Sequence, residues 1–370
     1  MLTLATFLAS VYMLTYSGRV ESSDTRALFD TISSFVQYGD NYLDISAWYN
    51  YPQPTARGQY PLFPISAEPL QPIFAAPLFW VGLQLPGIGL NHIVWLFNVF
   101  ICAISGSVLF LYAVTLGYSE TTAVLAALLF GLGTIIWPYS KSFFREPLAL
   151  LMILVAAVCI ERWRVGGYRS LLALAGAGLA FLGAWLSKEA VIFAVPALVI
   201  IAAPAPKLNG FYRRLMNIFL VAVVMAVITL LLLSIVPSAD TLNLLRGQLG
   251  NAIGKSLFEI QNLHAALHAY VLSIGGSFWA TSPVVLLALP GLWILYRRGH
   301  YRYIIVLIVL VATFVSGYAV LRGVHWFGGL SWPPRFLIPI IPFLIVGTLP
   351  VLDRLAKRIA PRWLVALTVT

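Results

Sequence analysis

The sequence predicts an all-α protein, a polytopic bundle of transmembrane helices, and three observations predict it. Of 370 residues, 60% are hydrophobic and only 10% charged, with a mean hydropathy of +0.90; a soluble chain cannot hide that much apolar surface behind a polar exterior. Apolar runs of about 17–25 residues recur along the chain, the length that a membrane-crossing helix needs. Basic residues gather between alternate runs, as the positive-inside rule expects of cytoplasmic loops. The net charge of +10 is therefore read as an orientation signal, and a nucleic-acid partner is excluded as its cause.

Residues 1–17 are apolar, without a basic leader or a clear small-residue cleavage site, and read as a retained first span. A long polar segment, residues 18–90, follows as the first extracytoplasmic loop. Within it Leu28, Ile32, Phe35 and Val36 share one helical face, and Arg26, Asp30, Ser33 and Gln37 another. That pattern predicts an amphipathic juxtamembrane helix resting on the bilayer, opened by a Ser22 or Ser23 cap and closed at Gly39. Trp48, Tyr49, Tyr51 and Tyr60, interleaved with Pro52, Pro54, Pro61 and Pro64, read as a headgroup-level loop. Residues 72–86 are apolar but short and broken by Pro72, Pro77 and Pro86, which predicts an interfacial or re-entrant segment.

Clear spans are then expected at 91–116, 120–137, 147–161, 170–186, 189–205, 214–236, 279–296, 302–320 and 335–352, with another from near 363, about 11 in all. The last run is cut at Thr370, with the expectation that the protein continues. Clusters at Arg162/Arg164/Arg169, Lys207/Arg213/Arg214, Arg297/Arg298/Arg302 and Arg354/Lys357/Arg358/Arg362 follow one another by two spans, so all fall on the cytoplasmic side. Residues 18–90 and a second large loop, 237–278, fall outside. The whole of 1–370 reads as one membrane domain of the plasma (inner) membrane, without internal repeats. Cys102 and Cys159 lie inside apolar runs and read as packing residues, with no disulfide or metal-ligand spacing.

Ionisable groups near bilayer depth are costly, so their placement is informative. The predicted topology gathers them at the outer edge. Asp24, Arg26 and Asp30 lie in the first loop, and Lys141, Arg145 and Glu146 between two spans. Lys188 sits in a tight turn; Arg322, His325, Trp332 and Arg335 precede the last long span. Carboxylates there can take a proton from an acceptor or hold a metal ion, while Arg and Lys grip a phosphate. Each has a plainer reading: Asp24 as a first-turn helix acid, Arg145 and Glu146 as a mutual ion pair, Lys188 snorkelling to headgroups, Arg335 and nearby tryptophans as interfacial anchors.

Residues 250–256 (GNAIGKS) fall one residue short of a phosphate-binding loop and follow no strand, and nucleotide binding is discounted. His264 and His268 are spaced i,i+4 but lack an acidic companion. The stripe Leu242, Leu245, Leu249, Ile253, Leu257 and Ile260 instead predicts an amphipathic helix there.

Taken together, these residues resemble the GT-C superfamily of membrane glycosyltransferases, particularly relatives of protein mannosyltransferases and aminoarabinose transferases. Four features carry the resemblance across nearly the whole chain: Ser23-Asp24-Thr25 soon after the first span; Phe144-Arg145-Glu146-Pro147-Leu148 before the fourth; Leu186-Ser187-Lys188 with Pro196 beyond; and Trp332-Pro-Pro-Arg335-Phe-Leu-Ile-Pro339, similar to a Trp-Gly-Pro-Arg-Tyr/Phe-Leu-x-Pro signature. The resemblance implies inverting transfer of a sugar from a polyprenyl-phosphate donor to a lipid, glycan or protein acceptor at the extracytoplasmic face. It assigns Asp24 as the catalytic carboxylate, Glu146 to acceptor or metal assistance, and Arg145, Lys188 and Arg335 to the donor phosphate. Arg26, Asp30, Lys141, His325 and Trp332 become further substrate contacts. Thr25 replaces the second acid of the usual acidic pair, and Pro333 stands where Gly is common. These departures leave a divalent metal cofactor, the sugar and the donor open. A transporter or lipid flippase, or a polymerase or ligase of surface polysaccharide, is the alternative expectation.

Overall fold

The computed structural model describes residues 1–39, 68–203, 260–322, 325–328 and 331–358. The aromatic loop at 48–64, the expected spans at 214–236 and from 363, the 250–256 segment and the leucine stripe before Ile260 lie outside the described residues, as does the side chain of His264. Among the described residues the protein is all-helical, with no strand.

Among the described residues three helical stretches are long and apolar enough to cross a membrane: Leu90–Thr115, Tyr301–Arg322 and Arg335–Arg358. Six further apolar helices among these residues are shorter, at 10–17 residues. In chain order the elements are α1 (Leu2–Met13), α2 (Ser23–Ser33), α3 (Leu70–Leu83), α4 (Leu90–Val94), α5 (Leu96–Thr115), α6 (Glu120–Gly133), α7 (Ile136–Ser140), α8 (Glu146–Val165), α9 (Leu171–Ser187) and α10 (Val195–Ala202). Beyond residue 259 come α11 (Ile260–Val271), α12 (Phe278–Thr281), α13 (Ala288–Arg297), α14 (Tyr301–Arg322) and α15 (Ile341–Arg358).

Two expected spans are interrupted, and both begin where proline falls. In the span expected at 189–205, Glu189–Ala194 form a 3-10 turn before α10, with Pro196 in the first turn of the α-helix. Residues 279–296 break into α12, a 3-10 turn Pro283–Leu287 and α13. Proline has no N–H to donate, so it suits a helix start and ends the helix before it. The expected first span is a 12-residue helix, about 18 Å long at 1.5 Å per residue. Residues 72–86 fall largely on α3, a continuous helix despite Pro77.

The core is built by α5, α6, α8 and α15, with α9 and α10 against α8, α13 against α15 and α14 against α10 and α11. Close approach needs small residues: a Cβ at Gly291 of α13 would overlap the Gly347 carbonyl of α15. On α1, Leu8 packs beside Gly106 and Gly131, and the Tyr12 hydroxyl donates to the Gly131 carbonyl at 3.1 Å.

The α2 helix corrects one expectation. Part of its apolar face is taken up by protein: Leu28 and Ile32 are buried in a cluster with Phe79, Trp95, Phe143 and Leu148. Asp30, placed by its periodicity on the polar face, is buried as well (9% exposed). Phe35, placed on the apolar face, is 54% exposed. The cause of the last is a π-helical turn, Ser34–Tyr38; wider winding there rotates the residues off the 3.6-residue period. The helix ends as expected at Gly39, in the left-handed region with φ 67°, which glycine adopts without a Cβ clash.

Candidate active site

Four chain segments meet at one end of the bundle, where α2, α8 and the last helix begin and α9 ends. The first is the start of α2. Ser22 is its N-cap and forms a capping box with Thr25: Ser22 Oγ accepts from Thr25 N, and Thr25 Oγ1 from Ser22 N. Threonine thus does the work that Glu or Gln does in the usual box, and the helix start is rigid. Asp24, one position inside, is half-exposed, free of the cap and turned toward the bundle.

The second is the connection from α7 to α8, held by side chains deep in apolar helices. Asn98 Nδ2 donates to the carbonyls of Ser142 and Phe144, both at 2.8 Å, and Gln71 Nε2 donates to Phe143 O at 2.9 Å. Trp95 stacks on Phe143 with ring centroids 4.8 Å apart. A buried carbonyl without a donor costs about 1–3 kcal/mol, so these amides fix the loop that opens α8. Arg145 is the N-cap, and Pro147 lies in the first turn. Glu146 is therefore delivered at a defined height, 1% exposed.

The third and fourth segments supply the cations. Lys188 caps the C-terminal end of α9, where the chain turns into the 3-10 segment. Arg335 opens the 3-10 turn Arg335–Ile340 that leads into α15. Each is 5% exposed.

Around Glu146 these groups form one network. Its Oε1 lies 3.2 Å from Lys188 Nζ and 3.3 Å from Arg335 Nε. Arg335 reaches on to Asp24, Nη2 donating to Oδ2 at 3.1 Å. Its guanidinium carbon lies 4.4 and 4.9 Å from the ring centroids of Phe144 and Phe336. Cation–π contacts of this kind suit the weakly hydrated guanidinium. Arg335 still has unused capacity. Its Nη1 is buried with no hydrogen-bond partner, and Nε has ion-pair distance to Glu146 without hydrogen-bond alignment. Burial pushes the Lys188 ammonium pKa below its ordinary value, against the pull of Glu146.

The plainer readings sort clearly. Lys188 does not snorkel; it is buried on Glu146. Arg145 and Glu146 do not pair with each other: Arg145 pairs with Glu68, while Glu146 takes Lys188 and Arg335. Asp24 is both a first-turn helix acid and a partner of Arg335. Of the other sequence candidates, Arg26 lies over the Phe29 ring at 5.7 Å, with its Nε buried and unpartnered. His325 is exposed beside Phe327. Trp332 is 63% exposed and contributes its carbonyl to the Tyr139 hydroxyl. Lys141 ends α7 and joins none of these pairs. Asp30 lies two turns from Asp24 on the buried side of α2.

Four contributors escaped the sequence. Glu68 holds Arg145 and also accepts from Glu189 N at 3.0 Å, tying the α3 approach to the α9 exit. Gln71 and Asn98 brace the loop. Glu21 accepts from Trp95 Nε1 at 3.2 Å; burial pushes its carboxyl up to about 7, opposed by the Trp95 and backbone donors. Polar residues inside apolar runs were the available signal for Gln71 and Asn98.

For a divalent cation, Asp24 and Glu146 are the acidic groups at hand, and Arg335 already stands between them. Among the described residues no group of three or more His, Cys, Asp or Glu is placed to hold a metal ion. No family model, no curated protein and no solved structure matches the chain.

Proposed function

We propose that this chain is an integral-membrane glycosyltransferase of the GT-C type, moving a sugar from a polyprenyl-phosphate donor to an acceptor at the extracytoplasmic face. The observation that carries the proposal is the Asp24–Arg335–Glu146–Lys188 network, assembled from distant segments at one end of a greasy bundle. Its parts suit the chemistry. Asp24 is the exposed member, open to an incoming hydroxyl or amine whose proton its carboxylate can take. Behind it stand two buried cations, and Arg335 Nη1 is an uncommitted donor. A phosphate leaving the sugar gains negative charge, which preorganised cations in a dry site stabilise strongly. Glu146 keeps Lys188 and Arg335 aligned, and Arg145 with Glu68 forms a second pair beside them.

Topology belongs to the same proposal. With about 11 spans and the basic turns facing the cytoplasm, the network faces outward. The packing is consistent with that separation: Arg164 and Tyr303 meet at the far end, as do Arg302 and the Ala203 carbonyl.

Reconstituted protein supplied with polyprenyl-phosphate-linked sugars is expected to release polyprenyl phosphate and yield a glycosylated acceptor. Movement of the donor between leaflets with no glycosylated product would favour the flippase reading instead. Loss of Lys188 or Arg335 is expected to weaken donor binding before it alters acceptor use.

A further inference from the structure

The opposite end of the bundle holds a cavity that the transferase reading leaves unused. Its volume is about 250 Å³, between the α5–α6 turn, the α13–α14 turn and the last turns of α15. That is smaller than the roughly 300–1,000 Å³ typical of pockets for drug-sized ligands, and right for a small polar group. The wall is two-toned. Leu116, Leu295 and Val346 form the apolar part; Arg298, His300 and Lys357 bring positive or protonatable groups, and Tyr118 adds a hydroxyl.

The charges do not cancel internally. The lining has one carboxylate, Asp353, which is buried and already bound by Lys357 at 2.8 Å. Arg298 and His300 are exposed in the turn at the mouth and make no ion pair among the described residues. Arg297, Arg302 and Arg358 lie on the same turns or the helix end beside it, adding to the positive field. Tyr303, also in the wall, donates to the buried Glu161, itself paired with Arg164, so the wall is fixed from behind.

We propose that this cavity binds a phosphate headgroup, and that the phosphate is the one carried by an anionic phospholipid. A greasy bundle presents this mouth at the level where headgroups lie, basic pockets between helices there attract anionic lipids, and the apolar wall accepts the start of the glycerol and acyl region. Arg298 and His300 take the phosphate oxygens, with the arginine fork matched to two of them. The inference rests on the membrane reading alone and is independent of sugar transfer.

The test is a titration of delipidated full-length protein with phosphatidylglycerol, followed by native mass spectrometry, with phosphatidylcholine as reference. Wild type should retain phosphatidylglycerol preferentially. The Arg298→Ala/His300→Ala protein should bind it about tenfold more weakly, whereas Arg19→Ala, an exposed arginine before α2 at the opposite end of the bundle, should bind as wild type. Arg298→Gln keeps the stem, loses the charge and should show an intermediate loss; monodisperse elution confirms that each variant is folded. Inorganic phosphate forms a second arm. If it stabilises wild type thermally, fails to stabilise the double variant, and phosphatidylglycerol shows no preference, the headgroup chemistry stands and the lipid source falls. Equal lipid retention by wild type and double variant, with no effect of phosphate, overturns the proposal.

Discussion

The two ends of the bundle use charge differently. At the basic end Glu161 and Asp353 make their ion pairs within their own helices: Glu161 with Arg164 three residues on, Asp353 with Lys357 four residues on. Such pairs are a property of helical spacing, and the Lys357 side chain is 72% exposed. At the other end the partners of Arg335 are Asp24, 311 positions away, and Glu146, while Arg145 finds Glu68. Only the completed fold can make those pairs, and it makes them in a place from which water is largely excluded. Local pairs finish helices; long-range buried pairs need a bundle built around them. That difference is why the second end, and not the first, is the candidate for chemistry.

The comparison breaks most visibly at Glu146. Replacing it with Gln leaves Lys188 and Arg335 buried beside one another without their shared counter-charge. Removing one member of a buried pair costs about 3–5 kcal/mol, so a large drop in thermal unfolding temperature is expected for Glu146→Gln. Lys188→Met in the same chain should restore part of it. A Glu146→Gln protein as stable as wild type would mean that the network is solvated.

Next in size is the brace. Asn98→Leu strands the carbonyls of Ser142 and Phe144, and a loss of about 1–3 kcal/mol is expected for a buried group left unpaired. It should also lower transfer activity by loosening Arg145 and Glu146. Unchanged stability would show that another donor reaches those carbonyls.

Glu21 sharpens the same contrast through pH. Its carboxyl is raised from 4.5 to about 7 in the folded protein, so the folded state holds a proton that the unfolded state releases. By linkage the resulting stability is complete below about pH 4.5, declines through the window and is lost above about 7. Glu21→Gln should flatten that decline. A slope identical to wild type would remove Glu21 as its cause.

The smallest effect belongs to the basic end. Lys357→Ala should change stability by about 0–1 kcal/mol, as exposed pairs do, and leave transfer intact. A loss as large as that of Glu146→Gln would erase the distinction between the two ends.

How much of this was legible varies by residue, for physical reasons. The Ser22 cap, the Gly39 stop and Pro147 in the first turn of α8 could be read because capping is local chemistry. Asp24, Glu146, Lys188 and Arg335 could be named because charge is rare in such a chain and its order along the chain puts these four on one side. Their mutual distances could not be read, since pairing across hundreds of residues is a property of packing. Asp30 and Phe35 were misplaced because α2 buries Leu28 and Ile32 against protein and because a π turn breaks its period. Glu68, Gln71 and Asn98 looked like ordinary polar residues until the carbonyls and cation they serve were in view.

The most direct measurement is sugar transfer by reconstituted protein carrying Asp24→Asn, compared with wild type at matched expression and monodispersity. Asparagine keeps the shape and the capped helix but cannot accept the proton. The account predicts that transfer falls by at least about 100-fold, the low end of what a positioned general base contributes, while the donor still binds. Transfer at the wild-type rate by a folded Asp24→Asn protein would contradict it.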